Sequence, residues 1–178
     1  MPFARFRKTR RLLRDDGGAA AVEFAMVAIP FLFLILASLQ IATIFFFDQA
    51  LQTLTQKSAR DLMTGNAQLA NLTQSQFQTV VCNDAPSFFN CSNLMVDVES
   101  ASAYSSISTT PLTLTYNAQG QVTNTWSYSP GNPGDIVILR VMYNWPVFGG
   151  PMMLGLVNQP NNNHLLIGTA VFKNEPYG

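Results

Sequence analysis

Hydrophobic positions follow three regimes along this chain. From Gly17 to Phe47 they are nearly continuous, with Glu23 as the single formal charge; from Asp48 to Cys82 they recur at helical spacing; beyond Leu94 they alternate. Phe24 to Phe47 is a run of 24 residues without a charge, and a hydrocarbon core of ~30 Å takes about 20 helical residues. The run therefore predicts a membrane-crossing helix. Ser38, Gln40 and Thr43 are tolerable in it, because hydroxyls bond back to the helix or to neighbours. Pro30 removes one backbone bond and is expected to loosen the helix locally. A cleaved secretory signal would have an apolar region of about 7–15 residues followed by a small-residue site. Here the nearest small pair, Ala37–Ser38, sits inside the run, so retention as an anchor is the better reading.

The helix is expected to continue. Asp48–Met63 lacks Pro and Gly and sets Leu51, Leu54, Ser58 and Leu62 on one stripe. Gly65 is placed to take a left-handed cap. A helix of roughly 40 residues would be about 60 Å long, a membrane span plus a stalk. Asn66–Leu72 reads as a polar connector. Thr73 fits an N-cap with Gln76 as its capping-box partner, opening a short helix with Phe77, Val80 and Val81 on its apolar face and ending at Cys82.

Alternation then predicts strands. Leu94, Val96 and Val98 alternate with Met95, Asp97 and Glu99, as in a half-buried strand. Leu112–Tyr116 and, more weakly, Val122–Tyr128 read as a pair around Gly120. PGNPG at 130–134 marks a turn. Asp135–Tyr143 is apolar on both faces apart from Arg140 and is expected to be the central strand. His164–Phe172 is the last, with Pro146–Asn163 a loop before it. Helices followed by short strands predict an α+β fold, an antiparallel sheet covered on one side by helix. The expected organisation is a leader at 1–18, a transmembrane and stalk helix at 19–65, and an α+β domain at 66–178.

Composition and charge orient this picture. Hydrophobic residues make up 48% and charged ones 11%, against ~25% charged in soluble domains. In residues 1–18 six Arg or Lys face two Asp, giving +4; in the remainder four Lys or Arg face eight acids, giving −4. A basic segment beside an apolar run holds its end in the cytoplasm, so the C-terminal domain is expected in the periplasm. The alternative, a nucleic-acid-binding arm, finds no support after residue 60, where no basic patch recurs; nucleic acid is not an expected partner, and the lipid bilayer is.

Candidate chemistry is sparse. Cys82 and Cys91 lie on the far side of the apolar run from the basic end, so an oxidising compartment would join them in a small-loop disulfide; two unrelated thiols are the alternative. A zinc site lacks raw material, since His164 is the only histidine. For the same reason no Ser-His-Asp or metal-hydrolase site is expected, and no enzyme activity, catalytic residue, metal or cofactor. His164 reads as an ordinary strand-end residue. Asp97 and Glu99 share a strand face that either binds a cation or is simply solvated.

Glu23 is the residue with most to explain. An acid inside a membrane helix is costly and usually marks function. Near the helix N-terminus, at headgroup level, the helix dipole would also favour it. Its register separates the two readings. With Gly18 at −1 and Ala19 at +1, Glu23 falls at +5, and a basic leader, a Gly and a Glu at +5 opening an apolar helix resemble the type III signal of type IV pilin-like proteins. That resemblance implies cleavage between Gly18 and Ala19 by a prepilin peptidase, freeing an amine that Glu23 of the same or a neighbouring helix would neutralise. GGAAAVEFAMVAIPFLFLILASLQ, followed by ALQTLTQKSARDLMTG, is similar to the TadE-like pseudopilins of the tight-adherence (Tad/Flp) pilus system. The Cys82…Cys91 pair, GDIVILRVMYNWP and the TAVFKNEPY ending extend the likeness. It implies a pilin-like architecture and a minor, non-enzymatic inner-membrane component that supports pilus assembly. Its implied partners are other pilin-like subunits, the Tad assembly platform and a prepilin peptidase. The competing readings are a membrane-anchored periplasmic binding or adhesion module, and a hydrolase on a stalk.

Overall fold

A computed structural model describes residues 17–106, 110, 112–147 and 155–177. The expected basic leader lies outside them except for Gly17 and Gly18, as does part of the Pro146–Asn163 loop. The chain divides into two compact units at Ala42/Thr43.

The long helix α1 runs Gly17–Met63 as one element with Pro30 inside it. In the first unit most of its side chains are exposed, Phe24 by 74%, Met26 by 71% and Leu34 by 63%. Ser38 Oγ donates to the carbonyl of Leu34 at 2.8 Å, the back-bonding expected of a hydroxyl in an apolar helix.

In the second unit α1 supplies one layer of the core. Leu51, Leu54 and Leu62 are buried along its stripe, with Thr55 and Ser58 between them. Each hydroxyl is satisfied within the helix, Thr55 by the Leu51 carbonyl at 2.8 Å and Ser58 by that of Leu54 at 3.0 Å. The helix ends as expected. Gly65 has φ 79°, and its N–H donates to the Leu62 carbonyl at 3.1 Å. The polar connector contains a single turn of helix, α2 (Asn66–Leu69). Thr73 then caps α3 (Gln74–Asp84) with both halves of the capping box made; this helix passes Cys82 by two residues.

Three strands follow, β1 (Leu94–Ala101), β2 (Ile136–Pro146) and β3 (Asn163–Lys173), in the order β1-β2-β3. Both pairings are antiparallel, so β2 is central; Asp97 faces Arg140 across one ladder, and Arg140 faces Thr169 across the other. One sheet face carries Val96, Val98, Val137, Leu139 and Val141 into the main cluster with Leu51, Leu54, Phe77 and Val81. The fold is α+β.

Two strand expectations need correction. First, β1 is not half-buried: Met95 and Asp97 on its second face are only 8% and 3% exposed. That face is covered by Leu112, Leu114, Val122 and Trp126, which pack over Met95, Met142 and Leu165. Secondly, the covering segments are not ladder strands. Tyr116 and Val122 make an isolated bridge about Gly120 (φ 76°), flanked by backbone bonds from the Thr123 N–H to the Thr115 carbonyl at 2.9 Å and from the Asn117 N–H to the Gln121 carbonyl at 3.0 Å. Side chains add to these, the Thr115 and Thr123 hydroxyls pairing at 2.8 Å and Asn124 Nδ2 donating to the Thr113 carbonyl at 2.9 Å. The alternation signalled one apolar face correctly, but Thr and Asn side chains compete for the backbone bonds a ladder would need.

The C-terminal segment closes the unit. Asn174, 2% exposed, donates through Nδ2 to the carbonyls of Pro130 and Asn132 at 2.8 and 3.2 Å. Tyr177 Oη donates to the Gly131 carbonyl at 3.0 Å, and the Glu175 N–H to that of Met63 at 2.9 Å.

Candidate functional site

Gly18, Ala19 and Glu23 lie on the first turns of α1, all exposed. Ala19 and Glu23 are four residues apart and so share a helix face, one turn from each other. Among the described residues, and apart from its chain neighbours and its own helix backbone, no heavy atom lies within 4 Å of where a Cβ on Gly18 would sit. Among the described residues Glu23 has no ion-pair or hydrogen-bond partner. Its neighbours on the helix are Val22, Phe24, Met26 and Val27, exposed by 56–74%. Among the described residues α1 is the one helix long and apolar enough to cross a membrane.

The two cysteines are brought together. Cys82 near the end of α3 and Cys91 in a one-turn 3₁₀ helix form a disulfide with Cα atoms 5.5 Å apart. The loop it closes carries Phe88 and Phe89 against the stalk. The Phe88 ring lies 5.8 Å from that of Phe46 and 5.0 Å from that of Phe47; Phe89 sits 5.0 Å from Tyr143; Trp145 stacks on Phe47 at 3.6 Å. Sequence reasoning missed this aromatic cluster. Its signals were present as FFF at 45–47 and FF at 88–89, but their pairing is long-range and no local period records it.

The charged groups divide by burial. Asp97 and Arg140 form an ion pair of 2.9 Å with side chains 4% and 7% exposed, and Glu99 approaches Arg140 at 3.4 Å. The other Asp97 oxygen accepts the Ser127 N–H at 2.9 Å. Asp97 is thus not solvated, and the positive charge it faces is Arg140, its cross-strand neighbour. Lys57 pairs with Asp84 at 2.7 Å on the surface, joining α1 to α3. His164 Nδ1 bonds the Leu156 carbonyl at the start of β3, a structural placement. Among the described residues no three His, Cys, Asp or Glu side chains group as metal ligands. Burial pushes the Tyr128 phenol above its ordinary pKa, and its hydroxyl has no hydrogen-bond partner among the described residues.

A second missed feature is Gln52. Its side-chain amide donates to the Thr169 carbonyl at 2.9 Å and accepts the Thr169 N–H at 3.0 Å. It occupies the outer edge of β3 as a neighbouring strand's peptide would. The adjacent Gly168 makes the approach possible, because a Cβ there would collide with Thr55 and lie 3.0 Å from the Leu51 carbonyl.

A groove of about 520 Å³ is lined by polar groups of Gln78, Asn93, Gln121 and Asn144 beside Trp126, and Asn144 Oδ1 has no partner among the described residues.

No curated protein and no solved structure matches the chain. Residues 18–60, from the Gly before Ala19 through Glu23 to the stalk, match the family model for TadE-like protein. Over that segment, which is the greater part of α1, the chain is TadE-like.

Proposed function

We propose that the protein is a minor pilin-like subunit of Tad/Flp pilus biogenesis, held in the bacterial inner membrane by α1 with the basic end cytoplasmic and the α+β domain periplasmic. It acts without catalysis, supporting assembly through its N-terminal helix alongside other pilin-like subunits and the Tad assembly platform. The observation that carries this reading is Glu23. A carboxylate with no partner among the described residues stands at the start of a largely apolar and largely exposed stretch of helix inside the TadE-like segment. Such a group is costly in a bilayer unless an opposite charge is supplied, and assembly supplies one in the amine freed at Ala19 by a prepilin peptidase. Gly18 and Ala19, both exposed, lie at the N-terminal end of the described part of α1, next to the basic segment that the reading places in the cytoplasm with the peptidase.

Glu23→Leu is expected to abolish piliation while the protein still resists carbonate extraction from membranes; unchanged piliation would overturn the reading. Intact mass of the extracted protein is expected to show a start at Ala19 when the peptidase is present. The amide-rich groove beside Trp126 favours a second reading, a periplasmic binding module anchored by the same helix. In that case Glu23→Leu leaves function intact and groove substitutions such as Asn144→Leu abolish it.

A further inference from the structure

We infer that the disulfide-closed loop Ala85–Asn90 is a membrane-interface foot, seating Phe88 beside Phe45 and Phe46 in the headgroup layer of the outer leaflet. The inference rests on the reading of α1 as a membrane span. Twenty helical residues cover a ~30 Å hydrocarbon core, and counted from Phe24 they end at Thr43. Phe45, Phe46 and Phe47 therefore stand at the boundary where aromatic side chains concentrate. Phe45 and Phe46 are 69% and 60% exposed, and Phe88, on a different element, is 39% exposed. The ring contacts fix Phe88 at the level of Phe46 and Phe47.

The loop's composition fits this seat. Ala85-Pro86-Ser87-Phe88-Phe89-Asn90 carries no charge, and the nearest acid on α3, Asp84, is neutralised by Lys57. Phe89 is buried at 5% exposure and roots the loop in the core, leaving Phe88 as the ring that reaches outward. The Cys82–Cys91 bond shortens the loop and limits the conformations it must give up on contact with lipid. The occupant is lipid rather than a second copy of the chain, because Phe45 and Phe46 follow directly in sequence on the uncharged run read as the membrane span. Absence of basic residues in the loop makes the contact independent of anionic headgroups.

The test is Phe88→Trp in the full chain, reconstituted in phosphatidylcholine vesicles, with wild-type emission subtracted. The added emission is expected to be blue-shifted, lost in vesicles whose lipids are brominated near the headgroup end of the acyl chain, and unaffected by aqueous acrylamide. The same result is expected when phosphatidylglycerol is added. Quenching by acrylamide alone would overturn the inference by placing Phe88 in water. Quenching by neither agent would overturn it by placing Phe88 against protein. Ser87→Trp, at an exposed position of the same loop, gives the same readout should Phe88→Trp lose the wild-type circular dichroism. Carbonate extraction separates the two failures: a chain released from the vesicles overturns the membrane span as well, whereas a retained chain with an acrylamide-quenched loop overturns the foot alone.

Discussion

Asp97→Ala removes one side of the buried pair and tests how the sheet is held. Arg140 keeps its place, 7% exposed, but loses the carboxylate 2.9 Å from its Nη1. Removing one partner of a buried ion pair costs about 3–5 kcal/mol. The Ser127 N–H also loses its acceptor at 2.9 Å, which adds about 1 kcal/mol where water does not replace it. Against this, Glu99 already stands 3.4 Å from Arg140 with its side chain 35% exposed, so it can swing closer. The expected net loss is about 3 kcal/mol, a large share of the ~5–15 kcal/mol by which a domain is stable. Asp97→Asn retains shape and the Ser127 bond and is expected to lose about half as much. Asp97→Leu combined with Arg140→Met removes both charges together and is expected to lie within about 1 kcal/mol of wild type, because apolar replacement of a buried pair is often neutral. Urea unfolding in detergent, followed by the emission of Trp126 and Trp145, measures all four proteins. A loss under about 1 kcal/mol for Asp97→Ala, or a double variant as unstable as the single one, would refute the reasoning.

Two further outcomes follow from the packing. Gly168→Ala is expected to destabilise by about 1–3 kcal/mol through overpacking, and Thr55→Ala in the same chain to restore only part of it, since the Leu51 carbonyl remains 3.0 Å from the added Cβ; thermal melts of the four-protein cycle check this, and full rescue would show that Thr55 alone sets the spacing. Tyr128→Phe deletes a buried hydroxyl with no partner among the described residues and is expected to leave stability equal or raise it by about 1 kcal/mol. The raised pKa of Tyr128 means that its neutral form is favoured in the folded state. Its contribution is therefore complete below the pKa of an unfolded tyrosine, about 10, and fades as pH rises through the folded value. The Phe variant should accordingly lose less stability above pH ~10 than wild type, and parallel alkaline limbs for the two proteins would contradict it.

Much of the fold was legible because local chemistry specified it. The uninterrupted apolar run, the Thr73–Gln76 capping box, the left-handed cap at Gly65 and the two-faced apolar pattern of the central strand each act within a few residues, so sequence spacing records them. What escaped was long-range. Asp97 looked like a solvated strand position because its partner lies 43 residues away across a ladder. Gln52 looked like an ordinary polar stalk residue, and only the approach of Thr169 gives it a role. The second sheet face looked open because its cover is an irregular segment whose apolar residues alternate like a strand's. At the candidate site the sequence register of Gly18, Ala19 and Glu23 carried the argument almost alone; the structure adds their exposure and the absence of a carboxylate partner among the described residues.

The amide of Gln52 on the edge of β3 has a consequence for self-association. An outer strand with free peptide groups is a template on which a second copy can extend the sheet, and chains concentrated in one membrane would be prone to that error. Here the Thr169 peptide group is engaged from the stalk and the Leu165 N–H by Asn158 at 2.8 Å. On the opposite edge the backbone of Val98 is bonded to Ser127 and Ser129 at 2.9 Å. An incoming strand would have to displace bonds on either side before it could register. Copies of this chain would therefore meet a barrier at both sheet edges, and under the proposed function ordered contacts would fall to the helix.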